Sequence, residues 1–357
     1  MMQFYNMPST MEIFLDKNEN PFDAPPALKE EIRKSLSSLR LNRYPDPDAK
    51  ALKAALSEYT GFPAEHIVVG NGGDEILFLL FAALIREGDR VLTLSPCFSE
   101  YNHLCKLFRA EQVKVPVVVN GKRFSFSEEA VLDVLRETSP RLVLLDSPHN
   151  PTGMLLRPDF LLKVIERSPG ICLIDEAYAE FSRTSILESI KGDLPREVAV
   201  LRTMSKAWGL AGMRVGYAMC GKHVAQVLNE TRSPFNVNVM SQDIAKLMLS
   251  YREWMEGRVY AISYIRDRFV EEVNRIPGWQ AFESTSNFVA VRAPLQRQQL
   301  EEFLLQQGIH VKFISVPWEG TWMRVTVGKE NEMQLLISAF SDLTQQAEGF
   351  PSSRVTV

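Results

Sequence analysis

Lys206 and Arg214 lie eight positions apart in a segment rich in small and hydroxyl-bearing residues. A lysine becomes a nucleophile when partial burial or a cationic neighbour keeps it unprotonated, and its commonest use is a Schiff base with an aldehyde cofactor. The apolar run 198–201 predicts a buried strand, so we expect Thr203 to Lys206 on the loop at its carboxyl end, where open α/β sheets bind ligands. The hydroxyls of Thr203 and Ser205 and the fork of Arg214 would then converge on a phosphate. The alternative is a solvated loop lysine and a surface arginine.

Two further stretches place polar residues after apolar runs. Asp175 follows the run 171–174, and Tyr178 stands three residues later. A carboxylate at the carboxyl end of a strand is suited to holding a pyridine nitrogen protonated, which makes the ring an electron sink. A helix N-cap is the alternative role for this aspartate. Asn150 follows the run 142–145 in an Asn-Pro-Thr-Gly segment, which is typical of a turn and leaves the asparagine side chain available to a ligand.

A glycine-rich segment follows the strand predicted at 67–69 and precedes an apolar helix. Successive glycine amides at the start of a helix form an anion site, because the unpaired amides and the helix dipole both favour negative charge. Gly72, Gly73 and Asp74 are therefore predicted to contact a phosphate. A dinucleotide-binding fingerprint is the alternative, but it requires glycine where Glu75 stands.

The predicted strands and helices alternate along most of the chain. Such alternation indicates an α/β fold with a mainly parallel central sheet covered by helices on both faces. The predicted strands of this sheet lie at 67–69, 90–95, 113–119, 142–145, 171–174, 198–201 and 215–219. The predicted helices include 26–39, 49–59, 128–137, 158–167 and most of 239–275.

A smaller α+β domain is predicted beside this sheet. A Pro-Gly pair at 277–278 suggests the boundary, which assigns residues 40–277 to a large cofactor-binding domain. Residues 1–39 and 278–357 then form the discontinuous small domain. Its predicted strands lie at 287–291, 309–313 and 322–327, and its predicted helices at 295–307 and 330–343.

Composition argues against several classes of protein. The formal net charge of −4 over 357 residues provides no basic footprint for nucleic acid. The longest apolar run, 76–85, is too short to span a bilayer, and no secretory signal is visible. The four cysteines lack metal-ligand spacing and are typical of thiols in a reducing cytosol. We therefore expect a cytoplasmic protein with no metal, no nucleic-acid partner and no membrane partner.

Several short segments, in this order, carry a resemblance to a known family. Asn150 to Gly153, Asp175 to Tyr178, Ser205 to Ala207 and Arg214 to Tyr217 together resemble the fold-type-I pyridoxal-phosphate-dependent aminotransferases. More narrowly, residues 15–343 resemble the histidinol-phosphate aminotransferase family. The segments that add this narrower match are 16–21, 42–47, 70–75, 234–237 and 323–328.

The resemblance implies pyridoxal 5'-phosphate as the cofactor and gives roles to the residues above. Lys206 would form the Schiff base and then carry the proton between substrate and cofactor, while Asp175 keeps the ring nitrogen protonated. Asn150 and Tyr178 would hydrogen-bond the 3-oxygen of the ring. The cofactor phosphate would be held by Thr203, Ser205, Arg214 and the amides of Gly72, Gly73 and Asp74.

Two aromatic residues also gain cofactor roles by resemblance. Phe98 occupies the position whose ring stacks on the pyridine, where family members commonly carry tyrosine. Stacking needs only a ring face, and Tyr101 is the reserve candidate; an aromatic residue here could equally belong to the core. Tyr44 matches a tyrosine that reaches the cofactor phosphate of the neighbouring subunit, which implies a homodimer with shared active sites. The alternative for Tyr44 is packing within a turn.

Arg324 lies on a predicted strand, where an exposed arginine is the ordinary expectation. The resemblance implies instead that Arg324 binds the substrate phosphate and the glutamate carboxylate in alternate half-reactions, with Asn150 also near the substrate. Lys312 replaces a second family arginine, and it keeps the charge but not the bidentate fork. The Pro-Tyr-containing lead-in of the family is hardly recognisable, unless Tyr5 and Pro8 stand for it.

The activity that this resemblance implies is transamination of L-histidinol phosphate with 2-oxoglutarate in histidine biosynthesis, giving imidazole acetol phosphate and glutamate. An aromatic amino acid aminotransferase and a threonine-phosphate decarboxylase are the alternatives that keep the cofactor. Relatives of the decarboxylase tend to begin with a His-Gly-Gly-type segment, which is absent here. A transcriptional sensor with this fold would need a DNA-binding region ahead of it, and we expect none because the resemblance begins near Leu15.

Overall fold

A computed structural model describes residues 12–190 and 193–348 of the chain. Tyr5, Pro8 and the outer parts of the predicted small domain, 1–11 and 349–357, lie outside the described residues. The described strands are β1 Ile13–Leu15, β2 Ile67–Gly70, β3 Arg90–Ser95, β4 Glu111–Asn120, β5 Arg123–Phe126, β6 Leu142–Asp146, β7 Ile171–Asp175, β8 Val198–Thr203, β9 Gly216–Cys220, β10 Gln280–Ala281, β11 Phe288–Ala293, β12 Ile309–Phe313 and β13 Thr321–Thr326.

The described α-helices account for most of the remaining chain. They are α1 Pro26–Ser38, α2 Lys50–Thr60, α3 Gly73–Leu84, α4 Ser99–Leu107, α5 Glu128–Thr138, α6 Pro158–Arg167, α7 Ala179–Ser182, α8 Lys222–Thr231, α9 Val239–Leu249, α10 Arg252–Val273, α11 Arg297–Gln306 and α12 Glu330–Glu348.

The larger sheet has eight strands in the order β2-β9-β8-β7-β6-β3-β4-β5. The central pairs from β8 to β4 are all parallel, whereas β9 and β5 run against their neighbours. Strands of a parallel sheet are buried on both faces, and every residue of β6 and β7 is buried. The prediction of a mainly parallel central sheet is confirmed.

Helices cover both faces of this sheet. Val143 and Leu145 of β6 belong to one apolar cluster, which includes side chains from α2, α5, α6 and α9. Leu142 and Leu144 of the same strand belong to the opposite cluster, which includes side chains from α3, α4 and α8. Because successive strand residues point to opposite faces, this division places the two sets of helices on the two sides of the sheet. The predicted α/β fold class is confirmed.

The smaller sheet has five strands in the order β1-β12-β13-β11-β10. β1 pairs with β12 in parallel, and the other pairs are antiparallel. The parallel pair joins the start of the described chain to a strand near residue 310, so the small sheet is built from segments far apart in the sequence. The residue boundaries of the two predicted domains stay a prediction.

One local prediction was wrong. β8 continues through Thr203, which pairs with Gly216 of β9, so Thr203 lies in the strand and not on the loop. The ladder with β9 supplies this extension, which the apolar run alone does not indicate. The region 239–275, predicted to be mostly helical, contains α9 and α10, which are separated at Ser250–Tyr251. Helix α8 has no counterpart among the predicted helices.

Two structural absences apply to residues 12–190 and 193–348. Within them no helix combines the length and the apolar character needed to cross a membrane. The same residues contain no group of three or more His, Cys, Asp or Glu side chains arranged to hold a metal ion.

Candidate active site

The neighbouring parallel strands β6, β7 and β8 end in Asp146, Asp175 and Thr203 at one edge of the large sheet. The turns that follow these strands add further polar side chains at the same edge, which is where open α/β sheets bind ligands. Together they surround a cavity of about 160 Å³. The predicted site residues that line it are Gly73, Asp74, Phe98, Asn150, Asp175, Tyr178, Thr203, Ser205, Lys206, Arg214 and Arg324.

Lys206 is partly buried on the loop that follows β8. Its Nζ donates a hydrogen bond to the backbone oxygen of Lys17 at 3.0 Å and lies 6.0 Å from the centre of the Tyr178 ring. Burial, reinforced by the positive charge of Arg324, lowers the pKa of Lys206 to about 8. A usable fraction of this amine is therefore unprotonated near neutral pH, as a Schiff-base lysine requires.

Asp175 is buried at the end of β7. Its Oδ2 accepts a hydrogen bond from the Tyr101 hydroxyl at 2.9 Å, and its Oδ1 accepts one from the Ala177 amide at 3.0 Å. Burial, with the neighbouring Asp146 carboxylate adding to it, raises the pKa of Asp175 to about 7. A carboxylate in such a place binds a proton-bearing cation strongly, because few other groups neutralise it.

Asn150 and Tyr178 are tied into a network that spans the chain. The backbone amide of Asn150 donates a hydrogen bond to Asp146 Oδ2 at 2.6 Å. The side-chain oxygen of Asn150, Oδ1, accepts a hydrogen bond from Arg324 Nη1 at 2.8 Å. The Tyr178 hydroxyl accepts a hydrogen bond from Asn18 Nδ2 at 2.9 Å, and burial raises the pKa of Tyr178 to about 12. The phenol therefore stays protonated at neutral pH and can donate to a ligand oxygen.

Another group of predicted residues forms the anion end of the cavity. The Thr203 hydroxyl donates to Ser205 Oγ at 3.0 Å and accepts from the Ser205 amide at 3.1 Å. Arg214 Nη2 donates to Asp74 Oδ2 at 2.9 Å at the start of α3. Gly72 is the residue before α3, and a Cβ added there would lie 2.5 Å from Arg214 Nη2. The Arg214 guanidinium thus lies directly against the backbone of Gly72. The amides at the start of α3 lie at the same end of the cavity.

The two aromatic candidates have different surroundings. Phe98 lines the cavity, and its ring packs edge-on against Tyr101 at 5.6 Å between ring centroids. Tyr101 is fully buried, with its hydroxyl bonded to Asp175, and does not line the cavity. Tyr101 is therefore poorly placed as a stacking residue, which leaves the predicted stacking role with Phe98.

Arg324 is partly buried on β13, and not the exposed arginine that a strand position alone suggests. Its Nη2 donates to the Asp16 backbone oxygen at 2.8 Å, and its Nε has no partner among the described residues. Lys312 pairs with Arg324 across β12 and β13, so the two side chains share one face of the small sheet. Lys312 is exposed and does not line the cavity. Of this pair, only Arg324 reaches the site directly.

Tyr44 lies outside the cavity of this chain. It is 80% exposed, and its ring stacks on Phe235 at 4.4 Å between ring centroids. The ring therefore packs against Phe235 while most of its surface stays exposed.

A buried ion pair fixes the turns that carry Asp175 and Lys206. Arg202 Nη2 lies 2.9 Å from Glu176 Oε2. Glu176 also accepts hydrogen bonds from the Ser185 hydroxyl at 2.7 Å and the Ile186 amide at 2.6 Å. A buried pair with several hydrogen bonds is costly to break from one side. It therefore holds the turn after β7 against β8, four residues before Lys206.

Sequence reasoning missed three residues of this site. Asn18 is buried and bonded to Tyr178, and Asp146 lines the cavity beside Asp175. Tyr101 was considered only for stacking, whereas its hydroxyl contacts Asp175. Asp146 had the same signal as Asp175, since each follows an apolar run. Asn18 lies in the segment 16–21, which carries part of the family resemblance, but that segment was given no role in the site.

Comparison with known proteins agrees with this geometry. The chain matches the family model of aminotransferase class I and II over residues 10–340. It is 35% identical over 330 residues to a histidinol-phosphate aminotransferase of Thermoanaerobacter sp. (strain X514), covering 92% of each chain. Histidinol-phosphate aminotransferase from Sinorhizobium meliloti, solved in complex with pyridoxal-5'-phosphate, superimposes with a TM-score of 0.84 at 24% identity, covering 94% of this chain and 91% of that one.

A solved structure with a different activity is also similar. The L-threonine-O-3-phosphate decarboxylase of Porphyromonas gingivalis superimposes with a TM-score of 0.81 at 20% identity, covering 93% of this chain and 99% of that one. At such low identity the likeness shows the fold alone.

Proposed function

Because this chain belongs to the class I and II aminotransferases, we propose that it transfers an amino group between L-histidinol phosphate and 2-oxoglutarate, with pyridoxal 5'-phosphate as its cofactor. The products are imidazole acetol phosphate and glutamate, and the reaction is a step of histidine biosynthesis. The observation that carries the substrate assignment is the 35% identity to a histidinol-phosphate aminotransferase over 92% of both chains. The absence of paired-cysteine spacing supports the cytoplasm as the place of action.

The residues of the cavity fit this cofactor. The cavity of about 160 Å³ is as large as one of about 150 Å³ that holds benzene, so a six-membered ring has room. Lys206 provides an amine with a pKa of about 8, and Asp175 provides a buried carboxylate with no cation paired to it among the described residues. When bound, the cofactor supplies an aldehyde that combines with amines and a protonated pyridine ring that accepts electrons.

The cofactor phosphate is held at the end of the cavity beside α3. Arg214 supplies a planar fork of donors, Thr203 and Ser205 supply hydroxyls, and Gly73 and Asp74 supply amides at a helix start. The dipole of α3 adds to this attraction, because the N-terminus of a helix is positive. The Asp74 carboxylate pairs with Arg214 at 2.9 Å. This pairing orients the guanidinium and offsets part of its positive charge.

Residues at the opposite end of the cavity would hold the ring nitrogen and the 3-oxygen. Asp175 would accept a hydrogen bond from the protonated ring nitrogen, and its hydrogen bonds from Tyr101 and Ala177 set the direction of the carboxylate. Asn150 and Tyr178 would donate hydrogen bonds to the 3-oxygen. Phe98 would cover one face of the ring and exclude water from that side.

Lys206 carries the proton during the reaction. Lys206 Nζ would take a proton from the substrate carbon as a base and would release it as an acid to the cofactor carbon. A pKa of about 8 suits both directions, because the amine can accept and release a proton near neutral pH.

Arg324 binds the acidic group of each substrate. It is held by Asn150 Oδ1 and the Asp16 backbone oxygen, and its Nε remains without a partner among the described residues. A phosphate and a carboxylate both match the planar arginine fork. Lys312 adds positive charge on the same face of the sheet, and a dianionic phosphate gains more from a second cation than a carboxylate does.

The experiment that tests this function is a half-reaction. The protein loaded with pyridoxal 5'-phosphate is mixed with L-histidinol phosphate, and separately with phenylalanine, and the absorbance of the lysine-bound cofactor is followed. Fast loss only with L-histidinol phosphate supports the proposal. Loss mainly with phenylalanine would make the protein an aromatic aminotransferase, and release of carbon dioxide from threonine phosphate would make it a decarboxylase. Failure to bind the cofactor at all would contradict the whole assignment.

The active enzyme is proposed to be a homodimer with shared sites. The exposed, stacked rings of Tyr44 and Phe235 support this proposal, because aromatic residues are enriched at protein interfaces. Light scattering is expected to give twice the mass of one chain. Tyr44→Phe is expected to weaken cofactor binding without dissociating the dimer, and a monomeric active enzyme would contradict the arrangement.

Replacing Gly72 by alanine is expected to weaken binding of the cofactor phosphate. The φ of Gly72 is +87°, and the added Cβ would lie 2.5 Å from Arg214 Nη2, so the guanidinium must move. The loss of one charge-assisted hydrogen bond corresponds to about a tenfold increase in Kd. Titration of the cofactor-free protein with pyridoxal 5'-phosphate measures this change.

Gly88 provides the matched control. Its φ is +86°, but an added Cβ meets nothing within 4 Å. Gly88→Ala therefore also places alanine at a positive φ, but without touching the site. Equal changes in Kd for the two variants would show that Gly72 does not position Arg214.

A further inference from the structure

Asp146 is a second buried carboxylate beside Asp175, and the roles described above do not use it. The two residues are partners in the parallel register of β6 and β7, and both line the cavity. Asp146 is 4% exposed and Asp175 is 6% exposed. Two acidic side chains are thus held side by side in a largely dry place.

No cation faces Asp146 among the described residues. Its Oδ2 accepts the Asn150 amide at 2.6 Å, and His149 Nε2 lies 3.9 Å from its Oδ1. His149 is fully buried, and burial lowers its pKa to about 4, so the imidazole is neutral at physiological pH. Burial raises the pKa of Asp146 to about 7.

Asp175 has one polar neighbour that Asp146 lacks. The Tyr101 hydroxyl from α4 donates to Asp175 Oδ2 at 2.9 Å, and Asp74 from α3 is the remaining charged group whose field reaches it. Two neighbouring carboxylates do not both ionise readily when no cation separates them, and they titrate as a pair. A hydroxyl donor favours the ionised form of the carboxylate that it contacts. The Tyr101 hydroxyl therefore favours placing the charge of the pair on Asp175.

We propose that Asp146 and Tyr101 are positioning residues that keep the negative charge of the carboxylate pair on Asp175. The inference rests on the proposed function, since Asp175 matters there as the partner of the ring nitrogen. Asp146 stores the proton as a neutral acid, and Tyr101 decides which of the two carboxyls is ionised. Without Tyr101, the charge divides between the two side chains and is partly lost from Asp175.

A double-variant experiment on the loaded enzyme tests this division of charge. Tyr101→Phe is expected to lower kcat/KM about tenfold near neutral pH and to move the acid limb of the pH profile upward by about one unit. Adding Asp146→Asn to Tyr101→Phe is expected to restore most of that loss, because the charge then has no second site. Asn keeps an oxygen for the Asn150 amide, so the local hydrogen bond is preserved.

A purely structural role predicts a different pattern. Two packing defects would add, and the double variant would be worse than Tyr101→Phe alone. Additive losses, or a Tyr101→Phe profile with an unmoved acid limb, would overturn the inference. Tyr59→Phe is the control, because Tyr59 also contacts a buried carboxylate, Glu180, at 3.3 Å but does not line the cavity.

A second measurement needs no cofactor. The folded pKa of Asp146 is raised, so the folded protein holds a proton that the unfolded chain, with an aspartate pKa of about 3.9, releases. Stability from this group is therefore lost as pH rises from about 4 through about 7. The Tm of the cofactor-free wild type should fall over this range, and the fall should be smaller in Asp146→Asn.

The two measurements separate the possible failures. If the wild type neither binds the cofactor nor transaminates, the proposed function fails, while the melting experiment still tests the carboxylate pair. An Asp146→Asn protein whose Tm falls with pH as steeply as that of the wild type would overturn the inference, whatever its activity.

Discussion

Replacing Lys206 by alanine is expected to abolish amino-group transfer, with a loss in kcat on the order of 10³-fold or more. The variant removes the amine that holds the cofactor covalently and the base that moves the proton. Among the described residues, no other side chain provides both the amine and the base. Lys17 is the only other lysine of the described residues that lines the cavity, and it contacts Lys206 Nζ with its backbone oxygen. The half-reaction with L-histidinol phosphate measures the loss.

Lys17→Ala provides the control for covalent attachment. The Lys17 side chain is 66% exposed, so its removal should leave the cofactor bonded to Lys206. Borohydride reduction followed by mass spectrometry of peptides should locate the cofactor on Lys206 in the wild type and in Lys17→Ala, and nowhere in Lys206→Ala. Near-normal transamination by Lys206→Ala, or attachment at Lys17, would contradict the assignment of the nucleophile.

Replacing Asp175 by asparagine is expected to lower kcat/KM by about 10²–10³-fold, the range seen when one preorganised electrostatic contact is removed. The amide keeps the size of the side chain and an oxygen for the Ala177 amide, but it carries no charge to hold a proton on the ring nitrogen. The electron sink is therefore weakened while the cofactor can still bind. Steady-state kinetics and a cofactor titration separate the two effects, because kcat should fall far more than affinity.

Asp74→Asn is the matched comparison for Asp175. Asp74 also lines the cavity, but it lies at the phosphate end, where its carboxylate pairs with Arg214 at 2.9 Å. Removing that charge should alter cofactor affinity more than kcat. If the two variants lose kcat equally, the special role of Asp175 at the ring nitrogen is wrong.

Much of the fold was predictable because its signals are local. The central strands are short apolar runs, and β6 and β7 are buried along their whole length, as parallel strands require. Asp175, Asn150 and Lys206 follow such runs, so their positions at one edge of the sheet could be inferred from alternation alone. The glycine-rich start of α3 was recognisable for the same reason, since turn and helix-start chemistry is encoded within a few residues.

Other parts of the site depend on contacts between distant segments. Arg324 reaches the backbone of Asp16, 308 positions away, and Asn18 reaches Tyr178 across 160 positions. Strand order and register bring these residues together, and hydrophobic periodicity contains neither. For this reason Asn18 was missed, and the burial of Arg324 could not be inferred from its strand pattern.

The sequence by itself determined the residue types that can do the chemistry and the strands that end beside them. It also determined the family, because several short motifs occur in one order over nearly the whole chain. Only the tertiary structure decided that Asp146 stands next to Asp175, that the Tyr101 hydroxyl contacts Asp175, and that Tyr44 points outward. The physical reason is that the charge state of a buried group depends on its neighbours in space, and those neighbours are chosen by sheet register and helix packing rather than by nearby sequence.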